Sequence, residues 1–163
     1  MVSISLFEAI ILSIIQGVTE WFPVSSSGHL ALFQEIFGFQ NLAYDIFLHF
    51  ASVFAVLVIF WKDIIKILKF DNAGLKYLAL LITALIPVVI AWFILIEKIE
   101  PIFSNMFYLG IFFIFSGIVI YSTKFSSEKK EKINFIDSIF IGLFQALAIL
   151  PGISRSGMTI SAG

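Results

Sequence analysis

The sequence predicts an all-α integral membrane protein in which transmembrane helices are combined with two helix-break-helix re-entrant units that form an inverted-topology repeat. Three observations carry that prediction. Of the 163 residues, 60% are hydrophobic and only 13% are charged, a balance far more apolar than a water-soluble domain of this length usually carries. Three uncharged runs approach the ~20 apolar residues that a helix needs to cross a hydrocarbon core. A polar pattern of Gln, Ser and Gly also occurs twice, once near each end of the chain.

Composition excludes several function classes. A net charge of -1 leaves no basic face to neutralise a phosphate backbone, so nucleic acid is not an expected partner. The absence of cysteine removes disulfides, thiolate metal ligation and thiol catalysis. No Lys or Arg precedes Lys62, so the N-terminus lacks the basic start of a secretory signal and its apolar segments are expected to remain in the mature chain. The reading is of a single membrane domain, 1–163.

The first unit covers about residues 6–38. Only eleven uncharged residues, Ala9 to Thr19, precede Glu20, a length that suits a half-crossing helix better than a full span. Pro23 and the run Ser25-Ser26-Ser27-Gly28 then break it before LALFQEIFGF resumes an apolar pattern. Full spans are expected at about 44–61, 77–96 and 106–122. Pro87 should kink the second, and Gly110 and Gly117 suit close helix contact in the third, although not at GxxxG spacing. Lys62, Lys66, Lys69 and Lys76 follow the first span, and Lys124, Lys129, Lys130 and Lys132 follow the third. The loop between, residues 97–105, holds only Lys98, beside Glu97 and Glu100. Three crossings put both Lys-rich loops on one side, which the positive-inside rule makes cytoplasmic. A second unit begins at about residue 135 and is incomplete at Gly163.

The two units repeat in register. Gln16, Ser25, Ser27 and Gly28 correspond to Gln145, Ser154, Ser156 and Gly157, and an acid, Glu8 or Asp137, stands eight residues before each Gln. If each unit dips in and returns, the three spans between them insert the copies from opposite faces, the parity of broken-helix repeats that bring polar loops together near the bilayer midplane.

The polar residues in these breaks suit phosphate chemistry. Arg155, the only arginine, lies in an otherwise apolar segment; such a charge costs roughly 2.5–3.5 kcal/mol at a helix centre and needs a partner or a polar cavity. Its planar fork pairs with phosphate or carboxylate, and an ion pair with Glu20 is the structural alternative. Ser154, Ser156 and Thr159 add donors, as do Ser25 and Ser27 in the first break, so the two breaks make a cradle for diphosphate oxygens. Gln16 and Glu20, four residues apart, share a helix face and suit a hard cation such as Mg²⁺ or Ca²⁺, while a helix-helix hydrogen bond is an equal alternative for Gln16. His29, where the second helix of the unit starts, suits a base or nucleophile toward phosphorus. His49, alone on an apolar span, is expected to be a buried hydrogen-bonding residue. The methionines and aromatic residues are expected to pack or to face lipid.

The stretches EAIILSIIQGVTEWFPVSSSGHL and ALAILPGISRSGMTISAG closely resemble the two signature regions of the bacterial undecaprenyl-diphosphate phosphatases, a family associated with bacitracin resistance. The first motif, Glu or Gln, three residues, then Glu, is met by Gln16 and Glu20 and followed by a serine-rich turn and His29. The second, PGxSRS with a downstream Thr, is met by Pro151, Gly152, Ser154, Arg155, Ser156 and Thr159. The resemblance implies a multi-pass enzyme of the bacterial cytoplasmic membrane with its site open to the outer face. It would hydrolyse the C55 isoprenyl diphosphate to the monophosphate carrier for cell-wall synthesis with a divalent cation, and a homodimer is one assembly it allows. Glu20 and Gln16 would serve metal binding or base chemistry, Arg155 would hold the diphosphate, and the nucleophile is Ser26, His29 or a water. Family members run longer, so the chain is expected to be a truncated form. A lipid-phosphate transporter built on the same inverted repeat and an inactive fragment are the competing readings. A phosphatidic-acid-type phosphatase would need a further His with an Asp partner beyond the Ser-Arg element.

Overall fold

The computed structural model describes residues 4–69, 71–103, 105–126 and 133–163, without the side chains of 98–100 and 103. Lys129, Lys130 and Lys132, and the side chains of Lys98 and Glu100, therefore lie outside the described residues. All regular structure among the described residues is helical.

The first unit is a helical hairpin. Helix α1 (Leu6–Thr19) starts at a capping box in which the Ser5 hydroxyl accepts from the Glu8 amide and Glu8 accepts from the Ser5 amide at 2.8 Å. It ends before the turn around Pro23, and α2 (Ser26–Phe37) runs back against it until Gly38, in the left-handed conformation, closes the helix. Leu12, Leu30, Phe39 and, from the next helix, Leu48 form the buried cluster between them. At 1.5 Å per residue α1 is about 21 Å long and α2 about 18 Å, both short of the ~30 Å hydrocarbon core.

Helix α3 (Leu42–Ile59) follows, capped by Asn41, and is tied to the hairpin by polar contacts. The Tyr44 hydroxyl donates to the Ala9 carbonyl at 2.9 Å, and the buried Gln34 amide bridges the Asp45 carboxylate and the Asn41 amide. After a bend at Phe60, residues expected as a loop form a short exposed helix, α4 (Trp61–Ile67), with a Lys66–Asp63 pair at 2.8 Å. Helix α5 (Asn72–Phe103) passes through Pro87 and Pro101 without interruption and takes in most of the stretch expected as a loop at 97–105. The charges that end an apolar span do not end a helix: Glu and Lys are good helix formers. Helix α6 (Met106–Ser122) runs into a 3₁₀ turn, Thr123–Phe125.

Three segments are long and apolar enough to cross a membrane: Leu42–Ile59, Asn72–Glu97 and Met106–Phe125. They match the three expected spans with bounds shifted by a few residues, and the chain is a multi-pass membrane protein. Leu48 is the one buried residue among the described residues of α3. Large apolar side chains on every long helix face outward, a pattern that water would penalise and lipid favours.

The second unit repeats the first. Helix α7 (Phe135–Leu147) opens at an Asn134–Asp137 capping box, the counterpart of Ser5–Glu8, and α8 (Arg155–Ala162) returns against it. Ala148, Ile153 and Met158 are its buried cluster. Helix α7 lies along α5, where a Cβ on Gly142 would collide with the Ala84 carbonyl oxygen. Gly110 and Gly117, which suit close helix contact by residue type, face open space among the described residues. Helix α6 meets its neighbours through other positions: Leu109 and Ser116 are its buried residues.

Candidate active site

The two breaks share one local geometry. Ser25 is the N-cap of α2 and its hydroxyl accepts from the Gly28 amide at 3.3 Å; Ser154 is the N-cap of α8 and accepts from the Gly157 amide at 3.1 Å. Each cap hydroxyl also approaches the hydroxyl two residues on, Ser25 to Ser27 at 3.5 Å and Ser154 to Ser156 at 3.2 Å. These are the serines that the repeat aligns. A purely capping role accounts for Ser25 and Ser154 and leaves Ser26, Ser27 and Ser156 for other contacts.

The breaks also touch each other. A Cβ on Gly28 would lie 2.9 Å from Gly152 Cα, so only a residue without a side chain lets the two backbones approach so closely. Gly152 adopts φ +92, a conformation L side chains rarely take. The Ser156 hydroxyl donates to the Phe22 carbonyl across the junction at 3.4 Å. A buried hydroxyl on α6, Ser116, accepts from the Ser154 amide at 3.1 Å and fixes the second break from behind; nothing in the sequence singled it out.

Beside this junction lies a cleft of about 1020 Å³. From the first break it is lined by Glu20, Ser25, Ser26 and Ser27, and from the second by Ser154, Arg155, Ser156 and Thr159. All eight are residues the sequence proposes for the site, and the fold brings them to one cavity. Gln145, the second repeat's counterpart of Gln16, lines it as well, while Val88, Val89, Trp92 and Phe93 of α5 supply an apolar wall. Sequence reading assigned Trp92 and Phe93 to packing or lipid.

Charge within the cleft is divided. The Glu20 carboxylate, at the C-cap of α1, accepts through Oε2 from the Ser26 hydroxyl and from Gln16 Nε2 at 3.0 Å. Gln16, 2% exposed, also donates to the Ser52 hydroxyl of α3 at 3.3 Å, which makes the helix-helix hydrogen bond considered for it; its Oε1 is buried without a partner. Arg155 does not pair with Glu20: its guanidinium has no ion pair and no hydrogen bond among the described residues, and it stands exposed at the first residue of α8.

The two histidines sit differently from expectation. His29 does not line the cleft; its Nδ1 lies 2.8 Å from the Ser25 carbonyl and its ring meets Phe113 edge-on at 5.2 Å. His49 does line it, 38% exposed rather than buried, with Nε2 3.7 Å from Glu20 Oε2. The expected hydrogen bond of His49 is present, from Nδ1 to the Asp45 carbonyl at 2.8 Å. Periodicity on α3 could not reveal this, because the partner of His49 is on α1. Among the described residues no group of three or more His, Cys, Asp or Glu side chains forms a metal cluster.

Known proteins resemble the chain along almost all of its length. It is 41% identical to an undecaprenyl-diphosphatase of Parabacteroides distasonis over 98% of the chain and 64% of that protein. It is 39% identical to one of Halothermothrix orenii, over 96% of the chain and 62% of the relative, and 39% identical to one of Methanococcus maripaludis, over 95% and 66%. The chain thus spans a little under two thirds of the length of most of these curated relatives. A family model described as bacitracin resistance protein BacA matches residues 9–163, which include both breaks and every residue named above on the cleft. On that match and those identities, the chain belongs to the bacitracin resistance protein BacA family.

Proposed function

We propose that this chain carries the phosphoryl-transfer site of an undecaprenyl-diphosphatase, releasing the terminal phosphate of a C55 isoprenyl diphosphate and leaving the monophosphate carrier. The observation that carries the reading is the guanidinium of Arg155, without a pair among the described residues, in the same cleft as the Glu20–Ser26 pair. A cation without a partner at a helix start suits a diphosphate, which pairs with it bidentately and also meets the amides of α8. The family match and the name borne by the relatives point to the same substrate.

The chemistry follows from what each group can do. Glu20 accepts the Ser26 hydroxyl hydrogen, so it is placed to take the proton of an attacking oxygen, Ser26 Oγ itself or a water in its place. As that oxygen bonds to the terminal phosphorus, the bond to the bridging oxygen breaks and the charge moves to the leaving lipid phosphate; where Ser26 attacks, a water then displaces Ser26 Oγ from phosphorus and frees the phosphate. Arg155, with the hydroxyls of Ser154, Ser156 and Thr159, stabilises that charge. His29, turned toward Phe113, is the weaker candidate for nucleophile or base. The apolar wall of α5 suits the first isoprene units, leaving the headgroup among the serines.

The donor set fits a hard divalent cation that carries most of its ligands with it: a carboxylate at Glu20 and, beside it, a Gln16 amide whose oxygen is buried without a partner. Mg²⁺ or Ca²⁺ bound there would neutralise charge on the phosphoryl group. Both hairpins dip into the membrane and return, in this reading, which their short helices support. The Lys-rich segments after α3 and α6 then face the cytoplasm and the first hairpin enters from outside. This supports a location in the bacterial cytoplasmic membrane with the cleft open to the outer face. The outward apolar faces of α5 and α6 also leave room for a homodimer.

Phosphate release from the C55 diphosphate by the purified chain in detergent tests the reading. Glu20→Ala and Arg155→Ala should each lower it by about 10²-fold or more; unchanged release in both variants would overturn the assignment. Movement of the lipid across vesicles without hydrolysis would favour a carrier instead.

A further inference from the structure

We infer that His49 is a ligand of the cation bound at Glu20, and that the site thereby takes a first-row divalent ion such as Mn²⁺ in preference to Ca²⁺. The inference rests on the cation site of the reading above but needs no turnover.

Hydrogen bonding fixes the tautomer of His49. The Asp45 carbonyl can only accept, so the Nδ1 that lies 2.8 Å from it carries the hydrogen, and the neutral ring presents a lone pair at Nε2. A histidine that ligates a metal is held in this way, with its other ring nitrogen donating to a carbonyl. His29 has the same arrangement on Ser25, but its ring packs on Phe113 and lies outside the cleft.

What Nε2 faces decides its use. Glu20 Oε2, also an acceptor, stands 3.7 Å away. Two lone-pair atoms so placed are stabilised by a positive centre between them, and the gap is wider than the roughly 2.7–2.9 Å to which a charge-assisted N–H···O bond closes. Two donors on one cation, each roughly 2.0–2.2 Å from it, stand about 3 to 4 Å apart, which the observed gap satisfies.

A third donor is at hand. Gln16 Oε1 is buried with no hydrogen-bond partner, while Nε2 of the same amide is 3.0 Å from Glu20 Oε2 and 3.3 Å from the Ser52 hydroxyl. A half-turn of the amide exchanges the two atoms. The oxygen then stands beside Glu20, and the Ser52 hydroxyl can turn its hydrogen to it from the Leu48 carbonyl, to which it donates at 3.1 Å. One nitrogen and two oxygens make a mixed set; imidazole suits first-row transition ions, whereas Ca²⁺ takes oxygen ligands. The position of His49 is itself secured, since Tyr44, Asp45 and Ser52 tie α3 to the first hairpin on both sides of it.

Mn²⁺ is the probe. Titrated into the detergent-solubilised chain, it should bind one ion per chain, and pulsed electron paramagnetic resonance should show ¹⁴N modulation from a directly bound imidazole. The modulation should persist in His29→Gln and vanish in His49→Gln. The latter should also weaken Mn²⁺ binding by at least about tenfold and Ca²⁺ binding much less. Bound Mn²⁺ without nitrogen modulation in the unaltered chain overturns the inference whether or not His49→Gln folds, and so does failure to bind Mn²⁺ or modulation that survives in His49→Gln. Nitrogen-ligated Mn²⁺ in a chain that releases no phosphate would sustain the inference while removing the phosphatase reading.

Discussion

Ser25 holds φ 63, the only positive φ outside glycine among the described residues, while its hydroxyl caps α2. Two requirements meet there and no single replacement satisfies both. Ser25→Gly removes the strain and loses the cap, so thermal unfolding in detergent should register only a few tenths of a kcal/mol. Ser25→Ala keeps the strain and loses the cap, and should cost about 1–2 kcal/mol. Equal midpoints for the two variants would refute this account. Arg155 makes the complementary case: it has no ion pair or hydrogen bond among the described residues, so folding should not depend on it. Arg155→Ala should leave the unfolding midpoint within about 0.5 kcal/mol of the parent and lower phosphate release by about 10²–10³-fold. A large fall in stability would mean that the guanidinium has a structural partner.

Helix contacts give the next scale. Gly28 and Gly142 each stand where a Cβ would strike another backbone, and Gly110 and Gly117 stand in the open. Gly28→Ala and Gly142→Ala should therefore destabilise by about 1–3 kcal/mol, whereas Gly110→Ala should be neutral or slightly stabilising because alanine is the better helix former. Comparing unfolding midpoints of the three variants checks this directly. The contrast also marks how far sequence reasoning reaches. Span existence was legible because lipid solvates an entire segment, so hydropathy alone carries the signal. The repeat was legible because caps need particular side chains at fixed spacing: Ser5–Glu8 and Asn134–Asp137 open the hairpins, and Ser25 and Ser154 restart them. Which glycines touch was not legible, since glycine suits any close approach and the partner surface lies on another helix. The same limit hid His49 and Ser116, whose partners are Glu20 and Ser154, far away in the chain. It also misplaced the end of α5, where charge ended the span but not the helix.

For the molecule as a whole, the proposed topology can be read by labelling, because the chain has no cysteine. Leu6→Cys and Gln40→Cys flank the first hairpin and should both react with a membrane-impermeant thiol reagent from outside, while Ser126→Cys, three spans beyond Gln40, should react only from the cytoplasm. Reaction of Leu6→Cys from the side opposite to Gln40→Cys would show that the first hairpin crosses. The repeat has also diverged within its frame. Ser26 and Arg155 occupy equivalent first positions of α2 and α8, yet one donates its hydroxyl to the Glu20 carboxylate and the other carries a cation unpaired among the described residues. The abutment of Gly28 on Gly152, with the Ser156 to Phe22 bond across it, has a consequence for biosynthesis. A ribosome delivers the carboxylate well before the guanidinium, so a nascent polypeptide holds only half of the proposed reaction centre until the second hairpin is seated.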